Sequence, residues 1–548
     1  MNSACFLPSG DRRWSIEGET GFAGCLIVGG SCLSGFEAAA LVDKLASFKE
    51  ALSLLRRSDG FFAIVTRRWG CWHIVTDPVR SIPLFYCRHN GRWLISDDAA
   101  VLVEVVGAED ASIENRVEFA LTGYCTDSET LKRDVKQVPA GTVLVLDDSS
   151  EVPATVKHCT FGSDDHCLDS DPLILEGLLN NVVEASINDL CEYAGGAQIV
   201  VPLSGGYDSR LILAKLVAKG YPNLLAYTYG ARVSREVEVS RGVAATLGVR
   251  WEYIKLTDDL WQSWYRSIGR REYFRRSHAF ATVPHIQDVV VVDELKRQGI
   301  VEGNAVFAPG HSGDFLAGSH IPSNLVGLDV RELDSAVDAV WNRHYQLWDS
   351  SRFAGSVVRE VKTRLRNQLA ECLPPEASPL ARFENWDWAE RQAKFIVNSA
   401  RVYEYHGYRW WMPLWSRQMI EFWNNVPLEM RLGKVLYDSY VRRCYSDVGE
   451  VDERRSARRE VSTMRSVLRT GLGTLGVLGA LRSIRATVRQ VTLSRRSEHG
   501  WLSTVDPDAF ACLYSGRETI NSFLVWEFVD IEDLLTDSDL PSRVMISE

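Results

Sequence analysis

The chain has 548 residues, a net charge of −11 and an apolar fraction of 46%. That is the profile of a large globular protein of two or three domains, not of a nucleic-acid binder or a disordered chain. Its 12 cysteines are scattered without a CxxC pair, no HExxH or zinc spacing occurs, and no apolar run reaches the roughly eighteen residues of a membrane span. Residues 1–20 are polar and charged, unlike a secretory leader, so reduced thiols and a cytoplasmic location are expected.

The first part reads as strand-rich. Residues 61–65 and 72–75 are short apolar runs either side of Arg67-Arg68-Trp69-Gly70. Residues 84–86 and 92–95 flank His89-Asn90-Gly91, and Asn-Gly is the pair favoured in two-residue hairpins. Residues 142–146 close this section. Polar Ser163-Asp164-Asp165 then mark a boundary, and helical patterning begins near Pro172. The expected organisation is a domain over 1–165 and a second over 166–548.

From Gln198 the texture changes. An apolar strand at 199–203 leads into a glycine turn and a helix at about 208–219. A strand at 224–229, a helix at 237–247 and a strand at 251–256 follow. Strands alternating with helices predict a parallel α/β sheet. Beyond about residue 330 the chain reads as mainly helical. Trp386, Trp388, Trp410, Trp411 and Trp415 concentrate there, as core residues or as the lining of a sugar or peptide pocket, the core reading being preferred. Between residues 454 and 496 stand eleven arginines and one acid, Glu460, with Val467, Leu468, Leu472, Leu475, Leu478, Leu481 and Ile484 at helix-like spacing. This insert, about 452–498, reads as a helical hairpin with a solvated basic face; the sharper reading is a peripheral contact for anionic lipid, nucleic acid or a polyanionic substrate. Gly471-Leu472-Gly473-Thr474-Leu475-Gly476 matches GxGxxG, but no strand precedes it, so it is not read as a dinucleotide site.

The chemistry concentrates in Ser204-Gly205-Gly206-Tyr207-Asp208-Ser209, between a strand and a helix. Adjacent glycines let a backbone approach a pyrophosphate and turn its N–H groups inward. The Ser204 and Ser209 hydroxyls can donate to phosphate oxygens, and the helix start adds partial positive charge. Asp208 cannot bind phosphate directly, so its role is to hold Mg²⁺. GxxxxGK[ST] is absent, which argues against γ-phosphate chemistry.

These residues resemble the asparagine synthetase family of pyrophosphate-loop ATP enzymes. Residues 203–210 are similar to its SGGxDS signature, and Tyr227-Thr228-Tyr229-Gly230, Glu236 and Ala244-Ala245-Thr246-Leu247-Gly248 to its second strand and following helix. Gly310-His311-Ser312-Gly313-Asp314 sits where the family has Gly-Glu-Gly-x-Asp, Pro413-Leu414-Trp415 resembles Pro-Phe-Leu-Asp, and Gly433-Lys434 its late lysine. Asp59-Gly60-Phe61-Phe62-Ala63 and Gln137-Val138-Pro139-Ala140-Gly141 look like the glutaminase-type domain. The resemblance implies an α+β N-terminal Ntn-hydrolase-like sandwich. It implies next an α/β parallel-sheet domain of the adenine nucleotide α-hydrolase-like type, with a helical C-terminal part. ATP would lie against the sheet with adenine near Leu203 and Tyr229 and its phosphates on the loop and Gly310. Asp208 and Asp314 would hold Mg²⁺, and Lys434 would neutralise phosphate charge. A substrate carboxylate would attack the α-phosphate, pyrophosphate would leave, and an amine would attack the acyl-adenylate, releasing AMP.

Three departures bear on the substrate. The glutamine-hydrolysing relatives carry a cysteine directly after Met1; here Asn2 stands there and Cys5 is displaced, so no glutaminase activity is expected unless processing exposes Cys5. The N-terminal domain would be inactive, as in the β-lactam synthetases and lasso-peptide cyclases, and the amine would be ammonia or the substrate's own. His311 replaces a family glutamate and is expected to deprotonate the amine or orient the substrate, histidine being suited to proton transfer near neutral pH. Arg409 replaces another glutamate and is expected to alter amino-acid recognition. The carboxylate is left open between a small molecule, a peptide and a sugar acid. Two other readings remain: a serine hydrolase on Ser312, disfavoured because adjacent residues cannot line up as a triad, and a degenerate synthetase kept as a binding scaffold.

Overall fold

The computed structural model describes residues 5–446 except His166, together with 500–513, 518–529, 534–535 and 545. Asn2 and the basic segment 454–496, with its glycine-rich stretch, lie outside the described residues. No helix among the described residues is long and apolar enough to cross a membrane.

The fold is of the mixed α+β kind. Strand Asp59–Thr66 pairs antiparallel with Thr20–Val28 and Trp72–Thr76 inside a seven-stranded sheet. All its residues are buried, because each face is covered. Phe62 and Ile64 face helices Gly35–Asp43 and Phe48–Leu55, while Ala63 and Val65 face a four-stranded sheet through Tyr86, Trp93 and Ile95. That second sheet rests its other side, Phe85, Cys87 and Leu94, on helix Ala99–Val106. The period-two alternation thus builds four layers, helix–sheet–sheet–helix. The Asn-Gly hairpin forms as expected between Phe85–His89 and Arg92–Ser96, with φ of 51° at Asn90 and 75° at Gly91, both positive as a type I′ turn requires. One expectation is corrected. Cys25 and Cys32 form a disulfide across the hairpin of Thr20–Val28 and Ser31–Ser34, with Cα atoms 6.2 Å apart, because the ladder sets them diagonally opposite.

Helix Pro172–Ala194, opened by the Asp171 side chain and closed by Gly195 in the left-handed region, leads to a five-stranded sheet. Its order is Arg250–Lys255, Leu224–Gly230, Ile199–Pro202, Val306–Phe307, Arg409–Trp410, and every pairing is parallel. The chain starts in the middle, builds outward one way, then returns to build the other way. Ile199–Pro202 and Val306–Phe307 therefore flank the topological switch point, where ligands of open α/β sheets bind beyond the strands' carboxyl ends.

The largest apolar cluster runs across the Ser163–Asp165 stretch. It joins Phe61, Val79 and Val117 to Trp386, Trp388, Trp410, Trp411 and Trp415. The Phe61 ring stands 5.2 Å from Trp410 and 4.7 Å from Trp411. All five tryptophans are buried and none lines the cavity described below, so the preferred core reading applies to them. Polar contacts follow the same seam. Asp59 accepts from the Arg417 and Gln418 amides at 3.0 and 3.2 Å, and Arg417 donates to the Ser58 carbonyl at 2.8 Å and to His158 Nδ1 at 2.8 Å.

Candidate active site at the switch point

Strand Ile199–Pro202 runs into the buried Leu203, and helix Tyr207–Ala218 begins four residues after it. The intervening loop is held by its own serines. The Ser204 amide donates to Ser209 Oγ at 3.1 Å, the two hydroxyls lie 3.2 Å apart, and the Gly206 amide donates to Ser204 Oγ at 3.1 Å. The Gly205 amide donates to Glu236 Oε1 at 3.1 Å. Glu236 stands in the first turn of helix Arg235–Leu247, so a carboxylate already accepts from one of the loop's amides.

The segment after Val306–Phe307 comes down on this loop. A Cβ on Gly310 would stand 2.7 Å from the Ser209 nitrogen and 3.0 Å from Asp208 Cβ; one on Gly313 would stand 3.1 Å from Asp208 Cγ. Only glycine permits so close an approach. Asp208 consequently sits against Asp314, whose amide donates to its Oδ2 at 3.1 Å, while the Tyr437 hydroxyl donates to Oδ1 at 2.6 Å. Burial first, and the neighbouring Asp314 second, push the Asp208 carboxyl up to about 7. Lys434, at φ 60°, lines the cavity, with its Nζ 3.5 Å from Asp438 Oδ1.

A cavity of about 470 Å³ collects Leu203, Ser204, Gly206, Asp208, Ser209, Tyr229, Gly310, His311, Asp314 and Lys434. Gly205 and Arg409, also expected at the site, are not among its lining residues. Among the described residues no group of three or more His, Cys, Asp or Glu side chains is arranged for a metal ion. Two crowded carboxylates, one of them forced toward its protonated form, nevertheless suit a hard dication that takes its other ligands from phosphate and water.

His311 differs from expectation in its acidity. Burial holds it down to about 4, with Asp288 acting weakly in the other direction, so the imidazole is neutral at pH 7. Its Nε2 lies 2.8 Å from Ser399 Oγ. Ser312 Oγ donates instead to Gln392 Oε1 at 2.9 Å, so no Ser312–His311 nucleophile–base pair exists. Arg409, expected near the substrate, donates to the carbonyls of Tyr193 at 2.8 Å and Ala194 at 3.2 Å, capping the C-terminus of Pro172–Ala194. It does not line the cavity, because its place on an edge strand turns it toward that helix end.

Sequence reasoning missed Asp288, Gln287, Tyr403, Tyr437 and Ser399. One signal was available: Asp288 opens the apolar run Val289-Val290-Val291-Val292, where a buried acid needs a reason.

No family model matches the chain. The 7-cyano-7-deazaguanine synthase of Synechococcus elongatus is 45% identical over 58 residues, 10% of this chain and 25% of that protein. The corresponding synthase of Pseudoalteromonas atlantica is 28% identical over 130 residues, 21% of this chain and 57% of that protein. The chain thus spans a quarter to just over half of these relatives. Among solved structures, an allosteric regulatory enzyme of purine biosynthesis shares 12% identity at a TM-score of 0.19, over 55% of this chain and 58% of that one. A glutamine phosphoribosylpyrophosphate amidotransferase from B. subtilis shares 12% identity at 0.18, over 56% and 59%. Scores this low carry no inference about fold or activity.

Proposed function

We propose that the protein forms amide bonds at the expense of ATP, activating a carboxylate as an acyl-adenylate and releasing AMP and pyrophosphate, in the manner of an asparagine synthetase-like carbon–nitrogen ligase. One observation carries this reading: the serine–glycine loop, the Asp208–Asp314 pair and Lys434 meet in one cavity at the switch point of a parallel sheet. The partial likeness to enzymes named synthases accords with a bond-forming activity.

The loop amides and the start of Tyr207–Ala218 would receive the pyrophosphate, displacing the Glu236 carboxylate from Gly205. Asp208 and Asp314 would hold Mg²⁺, which when bound offsets the negative charge of the leaving pyrophosphate. Lys434 adds a positive charge to the cavity wall, and Leu203 and Tyr229 offer an apolar face to adenine. His311, neutral and tied to Ser399, would orient the attacking amine through a hydrogen bond. The amine would be ammonia or one carried by the substrate.

ATP–pyrophosphate exchange tests the reading directly. Exchange is expected with a small-molecule, peptide or sugar carboxylate and Mg²⁺, and Asp208→Asn or Asp314→Asn should lower it by at least a hundredfold. ATP failing to bind the wild-type protein with Mg²⁺ would sink the proposal and leave the scaffold reading.

A further inference from the structure

The cavity has a second end that the nucleotide chemistry does not use. Asp288, at the start of helix Gln287–Arg297, is 8% exposed and turns its carboxyl to the cavity wall. The Tyr229 hydroxyl donates to its Oδ1, Gln287 Nε2 donates to that hydroxyl at 3.1 Å, and His285 Nε2 lies 3.3 Å from Oδ2 from outside the cavity. Burial alone would push this carboxyl up, but the His285 contact and the Tyr229 bond outweigh it and hold it below its ordinary value, so Asp288 is ionised.

Beside it stand two buried tyrosine hydroxyls. Tyr227 is fully buried and Tyr403 is 1% exposed; both line the cavity, and their phenol oxygens face each other without forming a hydrogen bond of normal geometry. Buried polar groups so poorly satisfied are costly, and they are tolerated where a ligand completes them. The wall at this end combines one fixed negative charge with hydroxyl and amide groups that donate or accept. His311 adds no positive charge there at neutral pH. A carboxylate or phosphate would be repelled, and a plain hydroxyl would leave the charge unanswered.

We propose that this end is a subsite for a primary ammonium group of the amide-forming substrate, held by the Asp288 carboxylate and hydrogen-bonded by Tyr227 and Tyr403. It rests on the adenylation reading for the reaction, and it narrows the substrate class: the carboxylate is activated at the Asp208–Lys434 end while an amine, on the same molecule or a second one, is received at the other. Tyr229 lines the same cavity, its hydroxyl committed to Asp288.

The test uses the full-length protein in about 0.15 M salt, where exposed charges are screened, with n-butylammonium, n-butanol and butyrate as probes in saturation-transfer NMR titrations. Butylammonium is expected to bind about tenfold more tightly than butanol, with butyrate weakest, and Asp288→Asn should abolish that preference. Tyr403→Phe, which removes one of these two oxygens, should weaken butylammonium severalfold with the melting temperature little changed; it carries the test should Asp288→Asn fold poorly. Equal binding of butylammonium and butanol by the wild type, or an ammonium preference kept in both variants, would overturn the proposal. ATP binding by the wild type is measured separately. Its absence would remove the adenylation reading while leaving the ammonium titration to stand or fall alone.

Discussion

Asp208 carries a cost that the rest of the loop does not. Its carboxyl is raised to about 7 by burial and by Asp314, against about 3.9 in an unfolded chain. Between those values the folded protein binds more protons than the unfolded one. Stability contributed at this position is therefore present at low pH, is lost as pH rises from about 4 toward 7, and is flat above. Asp208→Asn should raise the melting temperature at pH 8, with the gain shrinking toward pH 5, while abolishing Mg²⁺-dependent ATP binding. Scanning fluorimetry at the two pH values, with and without Mg-ATP, reads both effects; a variant less stable than wild type at pH 8 would contradict the account. Gly310 makes a steric prediction of the same kind. A methyl group there meets the Ser209 backbone at 2.7 Å, so Gly310→Ala should cost about 2–3 kcal/mol of stability, as overpacking does, and lose ATP affinity. A urea midpoint equal to wild type would show that the two loops part freely.

Between elements, the most informative junction is the start of helix Arg417–Asn425. Ser416 caps it from within, and Asp59, from the seven-stranded sheet, accepts from its first two amides. Asp59→Ala leaves those buried donors unpaired and should cost about 2–3 kcal/mol, whereas an exposed acid such as Glu37 on Gly35–Asp43 should tolerate the same change within about 0.5 kcal/mol; denaturant unfolding separates the two. This junction also shows where sequence reading stops. The Asn90-Gly91 hairpin, the strand before Ser204 and the helix after it were legible because their causes lie within a few residues. So was the likeness that brought Asp208, Asp314 and Lys434 together. Asp59 as a cap and Tyr437 as a partner of Asp208 were not, because each acts on a residue far along the chain. Arg409 was misread for the same reason: its partners are the carbonyls of a helix that ends at Ala194. The fall of His311 to about 4 follows from its burial, which no local pattern announces.

At the scale of the whole molecule, the shared cluster around Phe61, Trp410 and Trp411 makes two halves depend on one core. His158 belongs to that seam: its Nε2 bonds the Thr76 carbonyl at 2.8 Å, and burial, then Arg417, hold it down to about 3. A histidine whose folded value lies below its unfolded value of about 6.5 removes stability as pH falls from 6.5 toward 3. The protein should therefore lose stability below pH 6, and His158→Gln, which cannot take up the proton, should lessen that loss. Calorimetry should show one transition for the described body, and a chain cut at residue 165 should yield insoluble pieces; two separate transitions would mean that the seam contributes little. The same seam has a consequence for synthesis. Ser58 and Arg417 are bonded across a separation of 359 residues, so the N-terminal layers leave the ribosome long before the helix that completes them exists. At about 5–20 residues per second, Phe61 waits on the order of twenty seconds to a minute beside open apolar surface. During that interval the open surface is exposed to association, and slowed translation should lower the soluble yield of the protein more than it lowers the yield of one whose first layers close upon themselves.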